Sequence, residues 1–122
     1  MTEHYVDRAE RVIREMIEVD KRRDFTTTKI RNILSIVSDL YNDVLRYRSE
    51  TISEELYNRL QYLKMRMAYE AGRERIVETF LKQSQLLREI EKVGRSKKAL
   101  LEFCHYMEAL VAYHKFYYKE KN

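Results

Sequence analysis

Apolar residues recur at spacings of three and four along most of the chain, which is the period of amphipathic helices. The spacing predicts five helices, near residues 5–22, 28–48, 53–71, 74–93 and 97–118, and no strand. Threonine and serine residues that can cap helix N-termini precede the second, third and fifth of them. Gly94 is expected to end the fourth helix in a left-handed conformation, whereas Gly72 either ends the third or bends it. The basic cluster at residues 21–23 is expected to close the first helix.

Composition agrees with an all-α fold and a single domain spanning residues 1–122. The chain has no proline and two glycines, so it lacks the turn-forming residues that all-β folds require. Its hydrophobic content of 44% is enough for one core. We therefore expect a compact bundle of about five helices. The formal net charge of +4 is compatible with a polyanionic partner but does not require one.

Candidate catalytic chemistry is sparse. Cys104 and His105 are sequence neighbours, so on a helix they point about 100° apart and do not form a ligand pair. Cys104 is expected to be a small core residue and His114 a packed, hydrogen-bonded histidine. No phosphate loop, carboxylate pair or catalytic triad pattern occurs. We expect no enzymatic activity, no metal and no cofactor.

The single cysteine excludes a disulfide within the chain, and the polar N-terminus does not look like a signal peptide. No apolar run reaches the roughly 18 residues that a membrane span needs. These features predict a cytoplasmic protein without a membrane partner.

The third predicted helix carries a basic and aromatic arc. At about 100° per residue, one flank collects three arginines and two tyrosines, namely Arg59, Tyr62, Arg66, Tyr69 and Arg73. Arginine forks bind phosphate and tyrosine rings stack on bases, so the arc suits single-stranded RNA. Lys64 lies on the opposite flank of the core stripe. The competing interpretation is that these arginines pair with Glu70 or Glu74 and only cover the neighbouring core.

Two other regions bear on function. At the start of the second helix, Thr28, Lys29 and Arg31 combine hydroxyl, charge and free backbone amides, which together favour anions. The last helix is apolar around nearly its whole circumference, so it is either the centre of the bundle or a protein interface. Its tyrosines form a second stripe beside the core stripe, which predicts that part of the set packs against another subunit: Tyr106, Tyr113 and Tyr117.

Three segments resemble the small subunit of type III-A CRISPR effector complexes, the Csm complexes. The most specific is Tyr106–Tyr117 (YMEALVAYHKFY), and the others are Thr26–Arg31 (TTTKIR) and Gln61–Arg73 (QYLKMRMAYEAGR). The resemblance runs in order from about residue 25 to residue 118 and leaves the first helix unmatched.

The resemblance implies a helical subunit without a nuclease centre, present in more than one copy. It implies stacking along a filament of backbone subunits that hold the guide RNA, beside the large subunit, in the groove that receives target RNA. We expect the RNA backbone to be contacted, without sequence specificity, by six basic residues: Lys29, Arg31, Arg59, Lys64, Arg66 and Arg73.

Two alternatives come from other classes of protein. A helical DNA-binding regulator would use Thr27–Arg31 to open a recognition helix, although the continuously amphipathic segment from Ile30 to Leu45 leaves little exposed surface for reading bases. A helical scaffold without any nucleic-acid role would need only the tyrosine-rich last helix.

Overall fold

The computed structural model describes residues 3–119, and within that range it contains helices and no strand. The described elements are α1 Tyr5–Val19, α2 Thr27–Leu45, α3 Glu54–Arg73, α4 Arg75–Ser84, α5 Leu86–Val93 and α6 Lys97–Tyr118. An isolated antiparallel bridge between Thr51 and Ser96 joins the loop before α3 to the start of α6. The all-α prediction is confirmed, but the described helices number six rather than five.

The helix starts follow the predicted capping residues. The side-chain hydroxyls of Thr26, Ser53 and Ser96 accept hydrogen bonds from the amides of Lys29, Leu56 and Ala99. Each hydroxyl thereby satisfies one of the amide groups that a helix N-terminus leaves without a partner. The predicted positions of α2, α3 and α6 are confirmed to within a few residues because these caps are local signals.

The predicted fourth helix at 74–93 is wrong as a continuous element, because it breaks at Gln85. That residue adopts the left-handed conformation, with φ 58° and ψ 31°. The break frees the carbonyl of Ser84, which accepts hydrogen bonds from the Tyr106 hydroxyl at 2.9 Å and from Arg8 at 3.0 Å. It also turns Leu86 into the core, where that side chain is fully buried. Contacts with residues of other helices therefore stabilise the break.

The end of α1 also differs from the prediction. The helix stops at Val19, so the basic residues 21–23 lie in the following loop rather than in the helix. Arg23 still reaches back to the helix C-terminus, where its guanidinium donates to the carbonyl of Ile17 at 3.1 Å. Asp20 occupies the C-cap position and is buried, with 3% of its surface exposed. Its carboxylate accepts hydrogen bonds from the amides of Asp24 and Phe25 and from the hydroxyl of Tyr118. This buried carboxylate organises the α1–α2 loop against the end of α6.

The centre of the bundle is α6, which packs against α1, α2 and α5, while α3 packs against α2, α4 and α5 at the periphery. This arrangement explains why α6 is apolar on nearly all sides. Tyr106 is buried, and Tyr113 and Tyr117 are half-buried, with the Tyr117 hydroxyl donating to Glu10 of α1. Contacts inside the chain thus cover much of the tyrosine stripe that the sequence assigned in part to another subunit.

Gly94 has positive φ, as predicted, but its ψ of −118° lies outside the left-handed helical region. Gly72 lies within α3, one residue before its end at Arg73.

Candidate nucleic-acid interface

The peripheral helix α3 presents its outer surface to solvent. Its inner stripe is buried and consists of Leu56, Leu60, Leu63, Met67 and Glu70. From Asn58 onward the opposite side carries no charged residue, and every residue on it is exposed; we call it the outer face of α3, formed by Asn58, Gln61, Tyr62, Met65, Ala68, Tyr69 and Gly72. Two exposed acidic residues, Glu54 and Glu55, precede it in the first turn of the helix. Three arginines border this face along one edge, and we call them the basic flank: Arg59, Arg66 and Arg73. The helix has 20 residues and is therefore about 30 Å long.

Tyrosine and arginine side chains are interleaved along this edge. The guanidinium carbon of Arg66 lies 5.1 Å from the centre of the Tyr69 ring, and that of Arg73 lies 5.7 Å from it. These distances permit cation–π attraction. Tyr62 and Tyr69 remain 51% and 53% exposed. The aromatic rings are therefore available to a ligand and are flanked by positive charge.

A buried carboxylate ties two arginines of the basic flank together. Glu70 is only 6% exposed, and its two oxygens lie 2.9 Å from Arg66 and 3.4 Å from Arg73. The pairing with Glu70 that the competing interpretation anticipated is thus present. The three residues still carry a net charge of +1, and more than a third of each arginine side chain is exposed.

The remaining predicted cations on α3 point to different neighbours. Arg59 forms a salt bridge with Asp43 of α2, whereas Lys64 lies on the other side of α3 and pairs with Glu91 at 3.3 Å. The structure therefore brings together three of the four predicted α3 residues as one flank. Lys64 is separated from them by the outer face.

The two predicted residues of α2 diverge as well. Lys29 donates to the carbonyl of Asp24 and pairs at 3.2 Å with Glu74, which directly follows α3. Lys29 is thus close to the C-terminal end of the basic flank. Arg31 is exposed and instead lines a cavity against α6.

The residues considered for catalysis are packed or occupied by structural contacts. Cys104 is buried, and desolvation raises the pKa of its thiol to about 12. His114 is buried with its Nε2 2.6 Å from the carbonyl oxygen of Phe25, so the prediction of a packed histidine is confirmed. The Nε2 atom of His105 lies 3.4 Å from the Tyr41 hydroxyl. Between residues 3 and 119, no group of three or more His, Cys, Asp or Glu side chains is arranged to hold a metal.

Sequence reasoning missed Lys115 and Lys119. Lys115 lies in the last turn of α6, Lys119 is the C-cap residue directly after it, and both line the same cavity as Arg31. Their spacing is visible in the sequence, but only the fold shows that α2 brings a third cation to them.

Comparison with known families decides the assignment. The family described as Csm2 Type III-A matches residues 2–120. The chain belongs to this Csm2 family. The resemblance to the small subunit of type III-A complexes is thereby confirmed. The match also includes the first helix, so the earlier limit at about residue 25 is wrong.

Individual relatives of the Csm2 family agree with this assignment. The chain is 39% identical over 112 residues to "CRISPR system Cms protein Csm2" from Mycobacterium tuberculosis, covering 92% of this chain and 90% of the relative. The protein of the same name from Streptococcus thermophilus is 40% identical over 117 residues, covering 94% and 92%. That from Enterococcus italicus is 42% identical over 94 residues, covering 75% and 67%.

In the described part of this Csm2-family chain, no helix is long and apolar enough to cross a membrane.

Proposed function

We propose that this Csm2-family chain is a non-catalytic, RNA-binding small subunit of a type III-A CRISPR effector complex. It lines the groove that receives target RNA along the guide and works in the cytoplasm. Its partners are the target and guide RNA, other copies of itself, and the backbone and large subunits. The observation that carries the RNA-binding part is the interleaving of exposed Tyr62 and Tyr69 with the basic flank along one peripheral helix.

The chemistry of this edge favours backbone contacts over base readout. Guanidinium groups bind phosphate through paired N–H donors, and tyrosine rings stack on any base because every base has a π-face. Side chains that read base identity, such as asparagine and glutamine, occur on the outer face only as Asn58 and Gln61. The interface therefore binds RNA of different sequences with similar affinity.

The ion pairs within the basic flank do not exclude phosphate binding. Arg66 and Arg73 are 36% and 54% exposed in their side chains, so N–H groups of both guanidinium groups stay accessible to a ligand although Glu70 is buried. A guanidinium has five donors, so Arg66 and Arg73 can keep Glu70 and still donate to a phosphate. Arg59, Lys29 and Lys64 each face a single carboxylate and can bind in the same way.

Duplex DNA binding fits the structure less well. Beyond Arg31, the exposed positions of α2 carry no lysine or arginine before the helix ends at Leu45, and two of them are acidic, Asp39 and Asp43. A recognition helix in the major groove needs a basic, exposed reading face. The helix α2 has no such face because its apolar side is buried between α3 and α6.

The proposal includes the absence of catalysis. The buried Cys104 thiol, with its pKa of about 12, is almost entirely protonated near neutral pH, so it is a poor nucleophile. His114 already contacts the Phe25 carbonyl and has no solvent-facing role. Highly purified protein should therefore cleave no RNA with or without divalent metal ions. Metal-dependent cleavage that disappears in His105→Ala or His114→Ala would overturn this part.

The experiment that tests RNA binding uses the reconstituted effector complex. All six predicted cations are replaced by glutamine, and the affinity for target RNA is measured at two salt concentrations. Each lost phosphate contact should reduce the logarithmic salt slope by about 0.7 per subunit. The affinity should fall about equally for targets of different sequence, and by more than in assays of the isolated subunit, because aligned copies bind one strand multivalently.

A control replaces three other arginines, Arg46, Arg48 and Arg88, which are exposed and form no ion pair among the described residues. None of them is among the six predicted cations, so these substitutions should leave the salt slope unchanged. If the six-residue variant enters the complex and binds target RNA with the original affinity and slope, the six residues serve packing or subunit contacts and the proposed function is wrong.

A further inference from the structure

A cavity of about 310 Å³ lies between the N-terminal turns of α2 and the last turns of α6. Three of its lining side chains are cationic: Arg31 from α2, Lys115 from α6, and Lys119, which directly follows α6. Among residues 3–119, no aspartate or glutamate lines the cavity. A concave site lined by one sign of charge concentrates the electrostatic potential and attracts ions of the opposite sign.

Within the part of the chain that the structure describes, these three cations differ from those of the basic flank in having no carboxylate partner. Arg31, Lys115 and Lys119 form no ion pair with any of residues 3–119, whereas Arg59, Arg66 and Arg73 are each paired with a carboxylate. The Lys119 ammonium lies 5.7 Å from the centre of the Phe116 ring. Three unpaired cations around one cavity repel each other, and an anion bound between them would relieve that repulsion.

The cavity is held in place by the core beneath it. Ile30 and His114 line its floor and are buried, with His114 packed edge-on against Phe25 at a ring separation of 5.1 Å. The hydroxyl of Tyr118 is fixed on the buried carboxylate of Asp20. The positive end of the α2 dipole adds to the field of the three side chains. The site therefore needs little rearrangement to accept a ligand.

We propose that this cavity binds a phosphate group of the RNA backbone, at a second contact point separate from the basic flank. The identity of the ligand as RNA rests on the proposed function. Both sites lie at one end of the bundle, because Lys29 in the first turn of α2 pairs with Glu74 directly after α3, while Arg31 in the same segment faces the cavity. A strand that leaves Arg73 can cross the start of α2 to reach Arg31, Lys115 and Lys119.

The test measures binding of single-stranded RNA of mixed sequence to the full chain by fluorescence anisotropy at two salt concentrations. The double variant Lys115→Gln/Lys119→Gln should bind about five- to tenfold more weakly at low salt, and its salt slope should fall by about 0.7, since one phosphate contact is lost. Arg31→Gln removes the third cation from a different helix and should weaken binding about threefold. It keeps the test valid if the α6 substitutions disturb folding.

The matched control is Lys82→Gln/Lys98→Gln, which removes two exposed lysines without ion pairs among the described residues. Lys98 lies in the first turn of α6, about 25 Å along the helix from Lys115. This variant changes the net charge by the same amount and should leave the affinity within about twofold.

A second arm titrates inorganic phosphate against the isotope-labelled protein and follows amide signals around the cavity by NMR. Shifts at these amides that disappear in the Lys115/Lys119 variant, together with the loss of RNA affinity, support the inference. Phosphate-dependent shifts with unchanged RNA affinity would identify a site for free phosphate and overturn it.

Unchanged RNA affinity of the cavity variants, with affinity lost in Arg66→Gln/Arg73→Gln, would overturn the inference and leave the proposed function standing. If neither pair of substitutions weakens RNA binding, both fail.

Discussion

Replacing the buried carboxylate of Asp20 should destabilise the protein more than any surface substitution. The two carboxylate oxygens accept three hydrogen bonds, from the amides of Asp24 and Phe25 and from the Tyr118 hydroxyl, at 2.8, 2.9 and 2.8 Å. The substitution Asp20→Asn keeps the shape of the side chain. It replaces one acceptor oxygen by an NH₂ group, which then faces a donor.

The expected loss follows from these three contacts. A hydrogen bond to a charged group contributes about 1.5–3 kcal/mol, and a buried donor without a partner costs about 1–3 kcal/mol. Asp20→Asn removes the charge from all three bonds and leaves at least one donor unsatisfied, so we expect a loss of about 3 kcal/mol. That is a large part of the total of about 5–15 kcal/mol that stabilises a typical domain. For a chain of this size, the midpoint of thermal unfolding should fall by about 10–15 °C.

Urea titration followed by circular dichroism measures this change as a free energy of unfolding. The control is Asp24→Asn, because the Asp24 side chain is exposed and forms no ion pair among residues 3–119, so its loss should change stability by less than about 0.5 kcal/mol. Asp20→Asn with a free energy of unfolding within about 0.5 kcal/mol of the wild type would refute the reasoning. It would show that the α1–α2 loop does not depend on this carboxylate.

Three further predictions use buried or backbone features. In urea titrations, Gly72→Ala should stabilise the protein by about 0.5–1 kcal/mol, because Gly72 lies in α3 and an added Cβ would meet no other atom. Gly94→Ala should destabilise it by about 1–3 kcal/mol, because Gly94 has a φ of +54°. Burial raises the pKa of the Cys104 thiol from 9.0 to about 12, so the unfolded chain loses this proton at lower pH than the folded protein does. The stability that the protonated thiol contributes is therefore complete below pH 9 and is lost as the pH rises towards 12. In Cys104→Ala, the melting temperature should decrease less between pH 9 and pH 12 than in the wild type. Tyr106→Phe should lower the free energy of unfolding in urea by about 1–2 kcal/mol, because the hydroxyl that donates to the Ser84 carbonyl is lost.

The parts of the fold that the sequence predicts are those with local signals. Thr26, Ser53 and Ser96 act as caps because a hydroxyl three residues before an amide reaches it without any help from the rest of the chain. The span of α6 is predicted correctly because its cap and its apolar run lie in one segment.

The break at Gln85 has no such local signal. Glutamine rarely takes positive φ, and neither glycine nor proline marks the position. The partners that make the break favourable are distant in sequence, since Arg8 is 76 residues away and Tyr106 is 22 residues away from Ser84. The same holds for the end of α1, where Asp20 depends on Tyr118.

The candidate site likewise combines features that helical spacing predicts with features that depend on the fold. The arc of Arg59, Arg66 and Arg73 follows from helical spacing alone, and the structure keeps it together. The carboxylates that pair with these arginines are only partly predictable. Glu70 lies four residues after Arg66 on the same helix, whereas Asp43, the partner of Arg59, lies on α2. Lys115 and Lys119 acquire Arg31 as a neighbour only after α2 packs on α6.

The distribution of counter-charges has a consequence for how RNA binding would be shared between the two sites. At the basic flank, a phosphate must share Arg66 and Arg73 with the buried Glu70, so part of its attraction offsets the repulsion from that carboxylate. At the cavity, no carboxylate of residues 3–119 pairs with Arg31, Lys115 or Lys119. A single phosphate should therefore be held more tightly by the cavity than by an equal number of cations on the flank. The basic flank would contribute to RNA binding through its length, because α3 offers phosphate and base contacts along about 30 Å.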